Sequence, residues 1–252
     1  MSPLSSSTLF HFTNRREHLL NILEDEFSPH YSFEDFAGVL GPGADQRNAA
    51  VAIPMVCFCD IPLSQTQAHM KAYGSYALGL TKSWGRRLGV SPVLYAYAGA
   101  ATAIAVIDLH LQIEVLRGTF DDGAEFSPDT ERLMCFVKPY EGRLPRPGRK
   151  SKPVRFYDER EWRYVPPAPW RALQRRDFAD EKVRRLANAD VRTRFRLSFE
   201  PSDIRYIVVA TEDEIGPMIS EVRRIKTPKY SQNDIAILST RIVSAAQIAA
   251  DF

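Results

Sequence analysis

The stretch Phe156–Val165 limits the fold most, because it combines a dense set of charges with the residue types of a β-strand. It reads F-Y-D-E-R-E-W-R-Y-V, and two prolines follow it at once. Aromatic and β-branched residues favour strands and proline ends them, so the stretch predicts one strand. Alternate side chains of a strand share a face, which places Glu159 and Glu161 together with Tyr157 and Arg163.

Two carboxylates on one strand face repel each other. If that face lines a cleft, at least one of the two carboxyl groups should have a raised pKa. The alternative is a solvent-exposed edge strand whose alternating charges discourage pairing with other chains. The local pattern of Glu159 and Glu161 fits both interpretations.

Length and composition predict a soluble globular protein. The chain has 252 residues, of which 44% are hydrophobic and 25% are charged. This is enough for one large domain or two small ones, and no linker rich in glycine or serine divides it. We therefore predict a single domain over residues 1–252.

The net charge of +2 identifies no partner, but the basic residues are unevenly distributed. Residues 143–155 read R-L-P-R-P-G-R-K-S-K-P-V-R and are predicted to form an exposed basic loop. A second concentration of arginine lies in residues 171–196. Such density can contact nucleic-acid phosphates, and a solvated surface is the alternative.

The cysteines and the apolar segments predict a cytoplasmic protein without a metal site. Cys57 and Cys59 are too close in sequence for a zinc knuckle, no second pair follows, and Cys135 stands alone. The N-terminus lacks the basic and apolar regions of a signal peptide. The longest apolar run, Ala96–Leu109, is too short to span a bilayer.

Periodicity and turn residues predict an α+β chain with six to eight short strands and no internal repeat. Strands are predicted at Leu9–Thr13, Ile53–Cys59, Gly74–Leu80, Phe156–Val165, Ile204–Ala210 and Ile235–Val243, and helices at residues 65–71, 98–118 and 170–189. The small residues around Gly74 suit the close approach of a ligand or of another backbone.

Several long motifs resemble the AbiGi family of bacterial abortive-infection proteins. They are F-C-D-I-P-L-S, H-M-K-A-Y-G-S-Y-A-L-G-L-T-K-S-W-G, P-V-L-Y and E-R-E-W-R-Y-V. The resemblance extends from about Leu9 to Val243. It implies a phage-defence role, in which AbiGi-type proteins are regarded as antitoxin partners.

Three shorter motifs are similar to the His–Tyr–Glu arrangement of ADP-ribosyltransferase folds: L-F-H-F-T, Y-G-S-Y-A-L-G-L and E-R-E. This resemblance implies an ADP-ribosyltransferase-like split pair of small β-sheets with surrounding helices. The chain departs from the family pattern, because Phe12-Thr13 follows the histidine where Gly-Thr is common. The Ser-Thr-Ser of the arginine-specific class is also absent, so either Tyr73 or Tyr76 would be the middle element.

The same resemblance implies NAD as a substrate and assigns roles to eight residues. Glu161 would stabilise the oxocarbenium-like ribose that forms when nicotinamide leaves, and Glu159 would act on the acceptor. The NAD-binding residues would be His11 on the adenosine ribose, the backbone of Phe12 and Thr13 on the nicotinamide amide, Tyr73 or Tyr76 stacked on the nicotinamide ring, and Gly74 in the cleft wall.

Three functions therefore compete. The first is a phage-defence, toxin-like ADP-ribosyltransferase that moves ADP-ribose from NAD to RNA or protein. The second is a non-catalytic antitoxin that binds a cognate toxin. The third is an RNA-binding module that uses residues 171–196. The sequence leaves open the acceptor, the choice between toxin and antitoxin, and the oligomeric state.

Overall fold

The structure, a computed structural model, describes residues 5–41, 50–119, 132–143, 153–167 and 169–251. The strands are β1 (Thr8–Thr13), β2 (His30–Asp35), β3 (Ala50–Cys59), β4 (Tyr76–Thr81), β5 (Ser91–Pro92), β6 (Leu94–Ala96), β7 (Val137–Pro139), β8 (Gly142–Arg143), β9 (Pro153–Val154), β10 (Glu161–Tyr164), β11 (Leu173–Gln174), β12 (Ile204–Val209) and β13 (Ile242–Ser244). The α-helices are α1 (Arg16–Asp25), α2 (Ala37–Leu40), α3 (Gln67–Tyr73), α4 (Lys82–Arg87), α5 (Ala101–Thr119), α6 (Arg175–Ala179), α7 (Glu181–Arg194), α8 (Ile215–Lys226), α9 (Gln232–Ser239) and α10 (Ala245–Asp251).

The chain divides into two compact units, and each is built from separate segments. Unit 1 comprises Met1–Ser28, Cys57–Val90 and Arg196–Phe252. Unit 2 comprises Pro29–Val56 and Ser91–Phe195. One boundary falls inside β3, between Val56 and Cys57.

Unit 1 is a mainly antiparallel sheet with strand order β13-β12-β4-β1-β3. Strand β12 is antiparallel to β4 and parallel to β13, and β1 is antiparallel to β4 from Thr8↔Thr81 to Thr13↔Tyr76. Apolar side chains from this sheet and from α3 and α10 form one core cluster. Its buried members are Phe10, Cys59, Ile61, Met70, Ala77, Val208, Ala245 and Ile248.

Gly74 lets the end of α3 approach β1 closely. Its backbone has φ 117° and ψ 165°, a region that only glycine adopts readily. A Cβ atom at this position would lie 2.3 Å from the Cα of Asn14 and 2.3 Å from the carbonyl oxygen of Thr13. Gly74 was predicted to allow the close approach of a ligand or of another backbone, and it is a backbone that approaches it.

Unit 2 combines short strand pairs with the two longest helices of the described residues. The first part of β3 is antiparallel to β2 and β11, β10 is antiparallel to β5, and β6 is parallel to β7. Two core clusters fill it. One contains Phe36, Val39, Ala96, Ala103, Val106 and Val137, and the other contains Tyr31, Ala52, Leu173 and Val191.

The predicted α+β class is confirmed, because helices and mixed sheets make up both units. The single domain over residues 1–252 and the ADP-ribosyltransferase-like arrangement stay predictions. Most of the predicted basic loop at 143–155 lies outside the described residues, and its two ends pair as β8 and β9. Within the described residues, no helix is long and apolar enough to cross a membrane.

Two predicted strands are wrong in part. The strand of the E-R-E motif begins only at Glu161, because Phe156–Glu159 forms a 3-10 turn and Arg160 adopts the left-handed region at φ 46°. The predicted strand Ile235–Val243 is mostly α9, followed by the short β13. Ser231 explains the helix, since its hydroxyl accepts a hydrogen bond from the Asp234 amide in a capping box.

Replacing Gly74 by alanine should destabilise the protein strongly, because the new Cβ meets backbone atoms that cannot move aside. We expect the free energy of unfolding to fall by about 3 kcal/mol, measured by urea denaturation. Gly89→Ala is the matched control, since Gly89 also has a positive φ, of 75°, but no atom lies within 4 Å of its added Cβ. This control should cost about 1 kcal/mol. Equal losses in the two variants would contradict the role of the close approach.

Candidate functional site

The two glutamates of the E-R-E motif meet at Lys138 of β7, although they do not lie on one strand. The left-handed turn at Arg160 joins the 3-10 turn that carries Glu159 to β10, which carries Glu161. The Nζ atom of Lys138 donates to Oε2 of Glu159 at 2.9 Å and also to Oε2 of Glu161. Lys138 is thus a cationic bridge between the two carboxylates.

Arg163 binds the other oxygen of Glu161. Its Nε and Nη2 atoms both lie 2.7 Å from Oε1 of Glu161, and Nη2 lies 3.3 Å from Oε1 of Glu34 on β2. Its Nη1 atom donates to the carbonyl oxygen of Cys135 at 2.6 Å. Arg163 is fully buried, so these contacts replace the water that a guanidinium group would otherwise bind.

These five side chains form what we call the ion cluster: Glu34, Lys138, Glu159, Glu161 and Arg163. All belong to unit 2. The hydroxyl of Tyr95 also supports the cluster, since it accepts a hydrogen bond from the Glu161 amide at 2.8 Å. Both oxygens of the Glu161 carboxylate have a cationic partner, and the residue is only 5% exposed.

The charges in the ion cluster favour an ionised Glu161. Burial opposes ionisation and is the largest single effect, but Arg163 and Lys138 together outweigh it and lower the pKa of Glu161 to about 2. Burial also disfavours a charged Lys138, yet the surrounding glutamates raise its pKa well above the usual 10.5. The pKa of Glu34 is raised instead, because burial exceeds the effect of Arg163 there. The predicted rise in pKa is wrong for Glu161, and the carboxyl group whose pKa is raised is that of Glu34, which no sequence motif indicated.

The other six candidate residues belong to unit 1. His11 lies on β1, where its Nδ1 atom is 2.8 Å from the carbonyl oxygen of Cys57. Its ring packs edge-on against Phe27 at 5.2 Å and against Phe58 at 5.8 Å between centroids. Thr13 is buried at the end of the same strand, and its hydroxyl is 3.0 Å from Nδ1 of His18.

An aromatic row links three residues of unit 1. The Phe12 and His69 ring centroids are 5.2 Å apart, and those of His69 and Tyr73 are 4.5 Å apart. Tyr76 is engaged elsewhere, since its hydroxyl donates to the Glu214 carboxylate at 2.8 Å. Each of the two tyrosines proposed to stack on nicotinamide therefore has a partner within unit 1.

The residues that fix the position of Glu161 could not be predicted from the sequence. Lys138 lies 23 positions before Glu161, and Glu34 and Tyr95 lie farther still. No motif spacing connects them, because their approach depends on how the short strands of unit 2 assemble. The one local signal was Arg163, which the alternation of β10 places on the face of Glu161, and that prediction is confirmed.

Comparison with known proteins identifies the family. Residues 26–210 match the family model described as "Putative abortive phage resistance protein AbiGi, antitoxin". The chain belongs to the AbiGi family. The abortive phage resistance protein AbiGi of Lactococcus lactis subsp. cremoris is 29% identical over an alignment of 213 residues, and the match covers 73% of this chain and 84% of that protein. No solved structure matches.

The predicted AbiGi resemblance is thus confirmed. The ADP-ribosyltransferase resemblance, the NAD site and the roles of its eight candidate residues stay predictions for this AbiGi-family chain.

Glu161→Gln should destabilise the protein, because it removes the negative charge that the buried Lys138 and Arg163 both contact. Removing one partner of a buried ion pair costs about 3 kcal/mol or more. Urea denaturation at neutral pH should show this loss. Asp158→Asn is the matched control: it makes the same chemical change in a solvent-exposed pair with Arg155, at 2.8 Å, and should leave stability nearly unchanged. An unaltered stability of Glu161→Gln would show that the ion cluster does not hold unit 2 together.

The contribution of Glu161 should also depend on pH. Its folded pKa of about 2 lies below the ordinary value of 4.5, so its ionisation stabilises the folded state above about pH 4.5. This stabilisation decreases as the pH falls from there towards 2. The difference in unfolding free energy between wild type and Glu161→Gln should therefore be largest at neutral pH and should narrow by pH 3. A difference that grows on acidification would contradict the lowered pKa.

Proposed function

We propose that the protein is the antitoxin of an abortive-infection phage-defence pair and that it neutralises a cognate toxin by binding it. The observation that carries the proposal is the state of Glu161, whose two carboxylate oxygens are held by Lys138 and Arg163 in a buried cluster. A carboxylate that stabilises a developing oxocarbenium must contact the substrate. Here it would first have to give up a buried cationic partner. The antitoxin in the family description supports the same conclusion.

Exposed hydrophobic residues on unit 2 support a protein partner there. Of the seven exposed large hydrophobic residues that the described chain contains, five lie in this unit between residues 94 and 157. They are Leu94, Tyr97, Ile104, Leu133 and Tyr157, and we call them the apolar surface. Contiguous exposed apolar patches mark protein interaction sites, whereas single exposed apolar residues are ordinary.

The elements that carry the apolar surface are neighbours. Strand β6 pairs with β7, and the turn at 133–136 that precedes β7 contacts α5. The ring of Tyr157 lies 5.3 Å from Tyr95 and 5.4 Å from Tyr140 between centroids. Tyrosine is enriched at protein interfaces because it combines a large apolar ring with a hydroxyl group.

One observation favours the competing hypothesis of an NAD-dependent ADP-ribosyltransferase: Glu159 and Glu161 converge on a single cation, as a pair with related roles would. Incubation with labelled NAD and with total RNA and total protein tests it. Catalysis would be supported if wild type transferred label and the rate of transfer fell at least about a hundredfold in Glu161→Gln. The antitoxin proposal expects no label in either pool.

Two charges placed on the apolar surface should abolish neutralisation. Co-expression of wild type with the cognate toxin should restore growth and allow the two proteins to be purified together. We expect Tyr97→Asp with Ile104→Asp to weaken complex formation by at least about tenfold, since a buried unpaired charge opposes association. Growth rescue should be lost in parallel.

Leu186→Asp with Ile237→Asp is the control, because these two exposed hydrophobic residues lie outside the apolar surface. The control should bind and rescue like wild type. Equal rescue by both double variants would remove the apolar surface from the proposal. Failure of wild type to rescue growth or to bind the toxin would remove the antitoxin function itself.

A further inference from the structure

A cleft of about 390 Å³ lies beside α7 in unit 2. We call it the α7 cleft. Its lining residues are His30, Glu181, Arg184, Arg185, Asn188, Ala189 and Arg192. Neither the ion cluster nor the apolar surface includes any of them, so the cleft is a separate feature of unit 2.

The α7 cleft exists because the helix has a buried face and a polar face next to it. Val183, Ala187 and Val191 recur every four residues and pack on the core cluster of Tyr31 and Leu173. The lining residues of α7 also recur every three or four positions, and they occupy the face of the helix next to the buried one. Asp180 fixes the start of the helix, since its carboxylate caps the amides of residues 182 and 183.

Contacts within unit 2 hold part of the lining in place. The Nη1 atom of Arg184 donates to the carbonyl oxygen of Phe178 at 2.8 Å. The guanidinium carbon of Arg184 lies 5.4 Å from the centre of the Phe178 ring. The side-chain oxygen of Asn188 accepts a hydrogen bond from the Tyr31 amide at 2.8 Å. This contact identifies the acceptor end of the side chain, and the NH₂ group at the other end is a hydrogen-bond donor. Held donors lose less entropy when a ligand binds.

The charge of the cleft differs from that of the whole protein. Residues 171–194 contain eight basic and four acidic side chains, a net +4, whereas the complete chain has a net charge of only +2. Two of the eight basic side chains form ion pairs within this stretch, Arg171 with Asp177 and Arg194 with Asp190. In the cleft itself, three arginines face one acidic residue, Glu181.

We propose that the α7 cleft binds the phosphodiester backbone of a nucleic acid through Arg184, Arg185 and Arg192. Guanidinium groups match phosphate oxygens with paired hydrogen bonds. Arg185 and Arg192 are seven residues apart, which separates them by about 10.5 Å along the helix axis. They can therefore reach different phosphates of one strand.

The lining favours a nucleic acid over an acidic protein. A protein–protein interface needs an apolar centre, and among the lining residues Ala189 alone is apolar. The large exposed hydrophobic residue of α7, Leu186, is not part of the lining. Protein–nucleic acid interfaces are more polar and far more positive, as this cleft is.

The cleft should bind without strong sequence preference. His30 is the one aromatic side chain in the lining, so the cleft lacks the row of rings on which successive bases stack. Contacts to phosphates position a nucleic acid but do not read its sequence. This activity is separate from the proposed neutralisation of a toxin and does not depend on it.

Fluorescence anisotropy with labelled oligonucleotides of about 20 nucleotides tests the proposal. The probes are one single-stranded RNA, the DNA of the same sequence and its duplex, each measured between about 50 and 200 mM salt. Arg185→Ala with Arg192→Ala should lower the association constant at least about tenfold. For single strands, the slope of log K against log salt should fall by about 1.4, the value for two lost phosphate contacts. The probe that binds most tightly identifies the form of nucleic acid that the cleft prefers.

Arg176→Ala with Lys182→Ala is the matched control, because it removes two positive charges from the same region outside the cleft lining. It should change the association constant less than about threefold. Thermal unfolding of both variants checks that they remain folded. Equal losses in the two double variants, or no binding by wild type at about 50 mM salt, would overturn the proposal. So would an Arg185/Arg192 variant that keeps nucleic-acid binding but loses the toxin, since the occupant would then be a protein.

Discussion

The contact between Glu161 and Arg163 is the interaction on which the interior of unit 2 depends. Arg163 is fully buried, and a buried guanidinium group is tolerated only where carboxylate and carbonyl oxygens surround it. Glu161, Glu34 and the carbonyl of Cys135 supply those oxygens from three separate parts of the chain. Strand β10 is short, so these polar contacts add to the few backbone hydrogen bonds that fix it.

Such a cluster gives specificity of assembly more readily than it gives stability. Replacing a buried ion network by apolar residues is often neutral, whereas leaving one member alone is costly. Lys138 lies beside both Glu159 and Glu161, so its removal would take a buried cationic partner from each carboxylate. The two glutamates of the E-R-E motif therefore have a structural role in unit 2.

The sequence predicts what depends on local pattern and misses what depends on assembly. The α+β class, a helix predicted at 98–118 and the shared face of Glu161 and Arg163 follow from periodicity. The structure confirms them, with the helix at Ala101–Thr119. The prediction of one continuous strand was wrong because Arg160 adopts a left-handed backbone conformation, which composition does not indicate for a residue other than glycine. Glu34 and Lys138 were missed because they approach Glu161 only through strands distant in sequence. The family was predicted from long motifs, whereas short motifs could not establish the ADP-ribosyltransferase site.

The division of the chain into interleaved segments determines the order in which the units can be completed during synthesis. A chain is made from its N-terminus, and domains fold as their residues become available. Unit 2 ends at Phe195, whereas unit 1 needs β12 and β13, which come after it. The ion cluster can therefore form on the ribosome while β4 still lacks its neighbour β12. A chain cut between residues 196 and 203 would keep the E-R-E motif and lose one side of the unit 1 sheet.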